Sequence, residues 1–252
     1  MLHAIHKGKT HSLSSFSGMH RDSAQWQAAS EDTFTAMVFG RLCYLPATLF
    51  WEILTAAIYQ PSPSSVISGY QPGAIVSYEF WPHWLPHGTS NTSFVEPDAF
   101  IQTEFAHLII EAKRWDYATL QHSTQWEDQY HAYLNTIGQT AYPLLYLAIG
   151  GIPAGTESPE QRTILKNGVS YPFRVWKARW QSLLRSIEHT HRRLRAAQDF
   201  SPAYHILSDL LTIFAMHSFK PLHWLDELPA VWAEESLGLN EESIFSQEFP
   251  LR

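Results

Sequence analysis

Residues 93–114 read Ser93-Phe-Val-Glu-Pro-Asp-Ala-Phe-Ile-Gln-Thr-Glu-Phe-Ala-His-Leu-Ile-Ile-Glu-Ala-Lys-Arg114, and the fold turns on this stretch. Two runs rich in β-branched and aromatic residues, Ser93–Thr103 and Ala106–Arg114, are separated by so little chain that a tight turn must join them, which predicts a β-hairpin. Pro97 marks an edge or a bend in the first run. Charged groups fall where the strands are otherwise apolar: Asp98 in the first, Glu111 and Lys113 in the second. Side chains alternate along a strand, so Glu111 and Lys113 share one face and Ala112 points to the other. Pairing as a hairpin then sets Asp98 beside Glu111.

Upstream of the hairpin, Ser30 is placed to cap a helix whose first turn holds Glu31 and Asp32, with Phe34, Met37, Val38 and Leu42 on its apolar side. Pro46 ends that helix or opens a second one, which buries Leu49, Phe50, Ile53, Leu54 and Ala57. Gln60-Pro-Ser-Pro-Ser-Ser is a break, and Ala74-Ile-Val-Ser-Tyr-Glu-Phe80 is a strand bounded by Pro72 and Pro82. Downstream, 120–138 reads helical and Tyr142–Ile149 reads as a buried strand ending at Gly150-Gly151, with a short helix as the alternative. Helices are predicted over Val175–Ala197, Ala203–His217 and Leu222–Leu237. The expected architecture is α/β, a mixed central sheet flanked by helices with a helical C-terminal extension. The expected division is a loose arm over 1–23, a core over 24–151, and an extension over 152–252 that carries a basic helix and an acidic tail.

Two carboxylates and an ammonium on adjacent buried strands carry a chemical implication. Like charges at close range repel and are costly to desolvate, so Asp98 and Glu111 side by side call for a cation between them. Oxygen donors from Asp98, Glu111 and the backbone carbonyl of Ala112, with positions left for water, suit Mg²⁺, or Mn²⁺ as a substitute, rather than zinc. Lys113 is placed to orient or activate a water and to offset charge in a phosphoryl transition state.

The pattern Pro97-Asp98 followed by Glu111-Ala112-Lys113, together with the order helix, strand, strand, strand, helix, strand over 30–151, resembles the PD-(D/E)XK nuclease superfamily, the restriction-endonuclease-like fold. The resemblance implies that Asp98 and Glu111 hold the metal and that Lys113 assists the nucleophilic water. It implies further that an acid from the first helix contributes, Glu31 being the choice and Asp32 its neighbouring rival. Gln129-Tyr-His-Ala-Tyr133 is similar to the Gln-x-x-x-Tyr element of the exonuclease branch. With Gln125 one turn earlier, it implies a helix that borders the site through Gln129 and touches the DNA backbone through Gln125 and Tyr133. Products with 5′-phosphate and 3′-hydroxyl ends would follow.

The segment that follows the sheet region holds Arg174, Lys177, Arg179, Arg185, Arg192, Arg193 and Arg195 with Glu188 as the lone acid among them, and Trp176 and Trp180 interleave. Such a stretch favours contact with a nucleic-acid backbone. The chain of 252 residues has 17 Lys and Arg against 24 Asp and Glu, but seven of the acids lie after residue 225, so the remainder is close to neutral and does not oppose a polyanionic partner. That tail is read as a solubilising terminus or as a DNA-charge mimic covering the basic helix. One Cys excludes a disulfide framework and a Cys-based zinc site, and the His pairs 83/87 and 189/191 lack the geometry for one. No run of about 18 apolar residues and no apolar leader is present, so a soluble cytoplasmic protein is expected.

The function expected is therefore a Mg²⁺-dependent deoxyribonuclease, an endonuclease by preference. It would act as a homodimer or as a subunit of a prokaryotic defence or DNA-processing complex. The alternative is a catalytically silent nucleic-acid-binding or protein-interaction subunit on the same fold.

Overall fold

The computed structural model describes residues 24–60, 72–117 and 120–220. The expected arm over 1–23, the helix predicted over Leu222–Leu237 and the acidic tail lie outside the described residues. Within them, two helices, α1 (Ala24–Leu42) and α2 (Ala47–Ala57), precede the strands β1 (Ile75–Phe80), β2 (Ala99–Thr103) and β3 (His107–Ala112). Then come α3 (Ser123–Thr136), β4 (Leu144–Ile149), β5 (Glu160–Lys166), β6 (Val169–Ala178), α4 (Trp180–Ala196) and α5 (Pro202–Met216). The six strands form one mixed sheet in the order β1-β2-β3-β4-β6-β5. β3, β4 and β6 run parallel, and β1, β2 and β5 pair antiparallel at the flanks.

The β2–β3 hairpin is the one the sequence predicts. Its turn is closed by Thr103, whose N–H and hydroxyl both engage Ala106 at 2.8–2.9 Å. The register sets Ala99 opposite Ile110 and Phe100 opposite Ile109, so Asp98 and Glu111 are the next residues along at the open end. Alternation along the strands sorts the core into two layers. Ala99, Ile101, Leu108, Ile110, Ala112, Leu147, Ile149, Trp176 and Ala178 face α1, α2, α4 and α5. Phe100, Ile109, Tyr146, Ala148 and Val175 face α3 and the connection between β1 and β2. Helices on both faces of a sheet that is parallel at its centre make a three-layer α/β architecture. Each large side chain fully withdrawn from water, such as Phe34, Phe39, Trp180 or Tyr146, contributes roughly 1.5–3 kcal/mol to holding the layers together. Among the described residues, no helix is long and apolar enough to cross a membrane.

Three expectations need correction. α1 begins at Ala24, so Ser30 lies inside the helix and is not its cap, and Glu31 and Asp32 sit in mid-helix. The preceding Ala-Gln-Trp-Gln-Ala-Ala contains good helix formers and no breaker, so the helix extends through it. The basic stretch from Val175 is not one helix: Arg174 and Lys177 belong to β6, and the helix starts at Trp180. The overlooked signal is Asn167-Gly168, where φ values of 52° and 77° make the two-residue turn that joins β5 to β6. Pro172 is tolerated because β6 has only β5 beside it there; pairing with β4 begins at Val175. Finally, β6 lies next to β4, so residues after 151 supply the second half of the sheet before the C-terminal helices, and 151 is no boundary.

Candidate active site

The C-terminal ends of β3 and β4 meet at one edge of the sheet, and the charged residues of the hairpin collect there. Asp98, Glu111 and Lys113 are 8%, 2% and 9% exposed. Asp98 Oδ2 accepts the peptide N–H of Ala112 at 2.7 Å, so the hairpin's open end is closed by a side chain rather than by the backbone ladder. Lys113 Nζ donates to Glu111 Oε1 at 2.6 Å, and Gln129 Nε2, arriving from α3, donates to Glu111 Oε2 at 2.6 Å. Gln129 is fixed in turn by Tyr146, whose hydroxyl donates to its amide oxygen. From the opposite layer, Glu31 of α1 reaches over the end of β3, and its Oε2 accepts the Arg114 N–H at 2.5 Å. The structure thus brings Asp98, Glu111, Lys113, Glu31 and Gln129 together, with the Ala112 peptide in contact with Asp98.

The electrostatics are those of a site short of positive charge. Burial, reinforced by the Glu111 and Glu31 charges, holds the Asp98 carboxyl well above the ordinary carboxylate range. Burial pushes Glu31 up to about 7, against the pull of Lys113 and the Arg114 N–H. Burial would lower Lys113, but the surrounding Glu111, Asp98 and Glu31 carboxylates outweigh it and hold the ammonium above its usual value. Three carboxylates and one ammonium leave an excess of negative charge that either protons or a cation must neutralise.

Among the described residues, no three His, Cys, Asp or Glu side chains are arranged to hold a metal ion; Glu31 Oε2 is engaged by the Arg114 N–H. The donor set that remains is two carboxylates and a peptide carbonyl. It fits a hard cation that keeps several waters, since each carboxylate has more lone pairs than the N–H groups it now accepts.

Several supporting residues escape any reading of the sequence. Gln121 donates to the Glu111, Ile149 and Gly150 carbonyls and stitches the ends of β3 and β4 together. Asp116 accepts the N–H groups of Trp180 and Gln181 at 2.7 and 3.1 Å, capping α4 from a loop 64 residues away. Trp180 Nε1 donates to the Lys113 carbonyl at 2.6 Å. At Gly150, φ is +71° and a Cβ would lie 2.3 Å from the Lys113 carbonyl oxygen, so only glycine permits this approach. Cys43 is half-buried, and burial pushes its thiol up to about 12, so it is an inert apolar residue.

The expected nucleic-acid contacts are dispersed. Gln125 lines a cleft one turn from Gln129. Tyr133 does not face outward: it is buried, with its hydroxyl 2.8 Å from His107 Nδ1 at the other end of β3 from Lys113. It therefore fastens α3 to the sheet. Most of the basic residues already hold carboxylates. Lys177 is buried against Glu160 and Trp126, Arg179 binds Glu157, Arg192 binds Glu188, and Arg193 binds Glu52. Arg174 lies over Trp176, and Arg185 stands on the exposed side of α4. Glu52, Glu157 and Glu160 come from α2, a loop and β5, too far along the chain for a local charge count to register.

No family model matches the chain. It is similar to an uncharacterized protein of Pasteurella multocida (strain Pm70), 27% identical over 238 residues that cover 90% of this chain and 85% of the relative.

Proposed function

We propose that this protein is a Mg²⁺-dependent deoxyribonuclease of the PD-(D/E)XK type. The observation that carries the reading is the buried convergence of Asp98, Glu111 and Lys113 on adjoining strands, with Gln129 fixing the orientation of Glu111. Asp98, Glu111 and the Ala112 carbonyl would hold Mg²⁺, which supplies Lewis-acid polarisation of a phosphodiester and a bound water of lowered pKa. Lys113 keeps its proton at neutral pH in this setting, so its part is to position a water and to stabilise negative charge on the phosphorane oxygens. Gln129 and Tyr146 hold the Glu111 carboxylate in one orientation. Glu31 fixes the peptide that follows Lys113 and brings a third negative charge to the edge of the cluster.

The test incubates the purified full chain with supercoiled, linear and single-stranded DNA in Mg²⁺, Mn²⁺ or chelator. Metal-dependent cleavage that falls by several powers of ten in Lys113→Ala is expected. A second reading is favoured by one observation: both Glu111 oxygens already accept protein donors, as in a closed structural network. On that reading the chain is a silent nucleic-acid-binding or protein-interaction subunit, and no strand is cut in any metal. A homodimer or a larger defence or DNA-processing assembly as the working form, and a cytoplasmic setting, belong to this proposal.

A further inference from the structure

The connection from Trp81 to Asp98 is longer than ordinary strand-to-strand loops, and loops of this length in compact domains are commonly functional. It is also held in place along α3. Asn135 Nδ2 donates to the Leu85 and His87 carbonyls at 3.0 and 2.7 Å, and the Ser90 N–H reaches Asp128 Oδ1 at 3.2 Å. Gly88, at φ +78°, packs so near the His131 ring that a Cβ would lie 2.5 Å from it. Between this strap and the first half of α3 lies an open cleft of about 540 Å³. Gln129, the residue that grips Glu111, borders it, so the cleft adjoins the carboxylate cluster.

Two features of the cleft set its chemistry. Phe94 on its wall is 42% exposed, and the His83 ring stacks on it with centroids 4.1 Å apart and planes 13° from parallel. His83 is itself held by Glu96 at 3.0 Å, which makes Phe94 a fixed planar surface open to solvent. The other feature is charge. The lining includes Glu96 and Asp128 together with Asn91, Thr124 and Gln125, and neither Lys nor Arg. A groove that tracks a phosphate backbone carries Lys and Arg, whereas this wall would repel one. An aromatic platform beside neutral amides and carboxylate acceptors suits an uncharged planar ring with hydrogen-bonding edges.

We propose that the cleft is a nucleobase subsite. It takes one unstacked base of a single-stranded segment, its face on Phe94 and its edge against Gln125 and Asn91, while the adjoining phosphodiester lies at Asp98, Glu111 and Lys113. The assignment rests on the nuclease reading for the identity of the ligand, and it makes single strands, or duplex ends that fray, the preferred substrate. Because the base is gripped mainly through its face, little sequence preference follows.

Equilibrium binding in chelator separates this from the nuclease reading. The probes are a short fluorescein-labelled oligodeoxynucleotide, its duplex, and the same backbone with abasic residues throughout. The full-length protein should bind the base-bearing single strand about ten-fold more tightly than the abasic one, as stacking on one aromatic ring implies. Phe94→Ala should erase that preference, Phe94→Trp should keep it, and Gln125→Ala should weaken it in case the Phe94 variants fold poorly. A preference that survives both Phe94→Ala and Gln125→Ala, or its absence in the wild type, overturns the subsite. Mg²⁺-dependent cleavage alongside an unaltered preference in these variants removes the subsite and keeps the nuclease. A base preference lost in Phe94→Ala, with no cleavage by the wild type, keeps the subsite and removes the nuclease.

Discussion

Gln129 Nε2 donates to Glu111 Oε2 at 2.6 Å although the two residues are 18 apart in sequence, one on a helix and one on a strand. The amide has no latitude, because Tyr146 engages its oxygen. Helix α3 is therefore fastened to the sheet by a polar chain running through Tyr146, Gln129, Glu111 and Lys113, all buried.

Breaking that chain at its middle should be costly. Gln129→Leu leaves the Tyr146 hydroxyl and one Glu111 oxygen buried without partners, so urea denaturation should show a loss of about 2–4 kcal/mol. Gln129→Glu adds a carboxylate beside Glu111 and should lower the midpoint further in chelator, with partial recovery in Mg²⁺. Retention of the wild-type midpoint by Gln129→Leu would show that water satisfies these groups.

The pH dependence of stability carries a sign. Burial raises both Asp98 and Glu31, the latter to about 7, so the native state keeps protons that the unfolded chain has released. Glu31 lowers stability as pH rises from about 4.5, its ordinary value, to about 7, and Asp98 acts in the same sense. His217, whose imidazole burial pushes down to about 4, acts in the opposite sense. The informative quantity is thus the difference in Tm between Mg²⁺ and chelator. It should widen as pH rises across this window and narrow in Glu31→Gln. A difference independent of pH would contradict the charge deficit.

Asp116 offers a test that separates scaffold from chemistry. Asp116→Ala removes the acceptor for two N–H groups at the start of α4, and a loss of about 1–2 kcal/mol is expected from thermal or urea unfolding. Asp116→Asn, which keeps an acceptor oxygen, should recover part of it. Near-wild-type stability in Asp116→Ala would mean that the cap contributes little.

Gly150→Ala joins strain to function. The new methyl meets the Lys113 carbonyl, and the residue must hold a positive φ, so a loss of about 1–3 kcal/mol is expected. The displaced Lys113 peptide should also reduce any DNA cleavage more than Gly138→Ala, which shares the positive-φ strain at φ +87° but whose Cβ would have nothing within 4 Å.

How much of this was legible beforehand follows from the range of the interactions concerned. The hairpin, the common face of Glu111 and Lys113, and the placing of Asp98 beside them depend on a two-residue alternation and a short turn, both local. The helical position of Gln129 is equally local; the family resemblance sets it at the border of the site, and its bond to Glu111 comes from the tertiary structure alone. The β5–β6 hairpin had a local signal in Asn167-Gly168 that the basic residues obscured. The ionic partners of Lys177, Arg179 and Arg193 are not legible in the sequence, because their carboxylates lie on other elements.

The sequence by itself determined the alternation of apolar and charged side chains, and with it the α/β class, the central hairpin and the two acids and lysine on it. Tertiary structure alone decided that Glu31 from one layer and Gln129 from the other would close over that hairpin, that Asp116 would cap a helix beyond the second half of the sheet, and that Tyr133 would point inward. The reason is physical: periodicity acts over a few residues, whereas the pairing of buried polar groups is settled only when distant segments exclude water together.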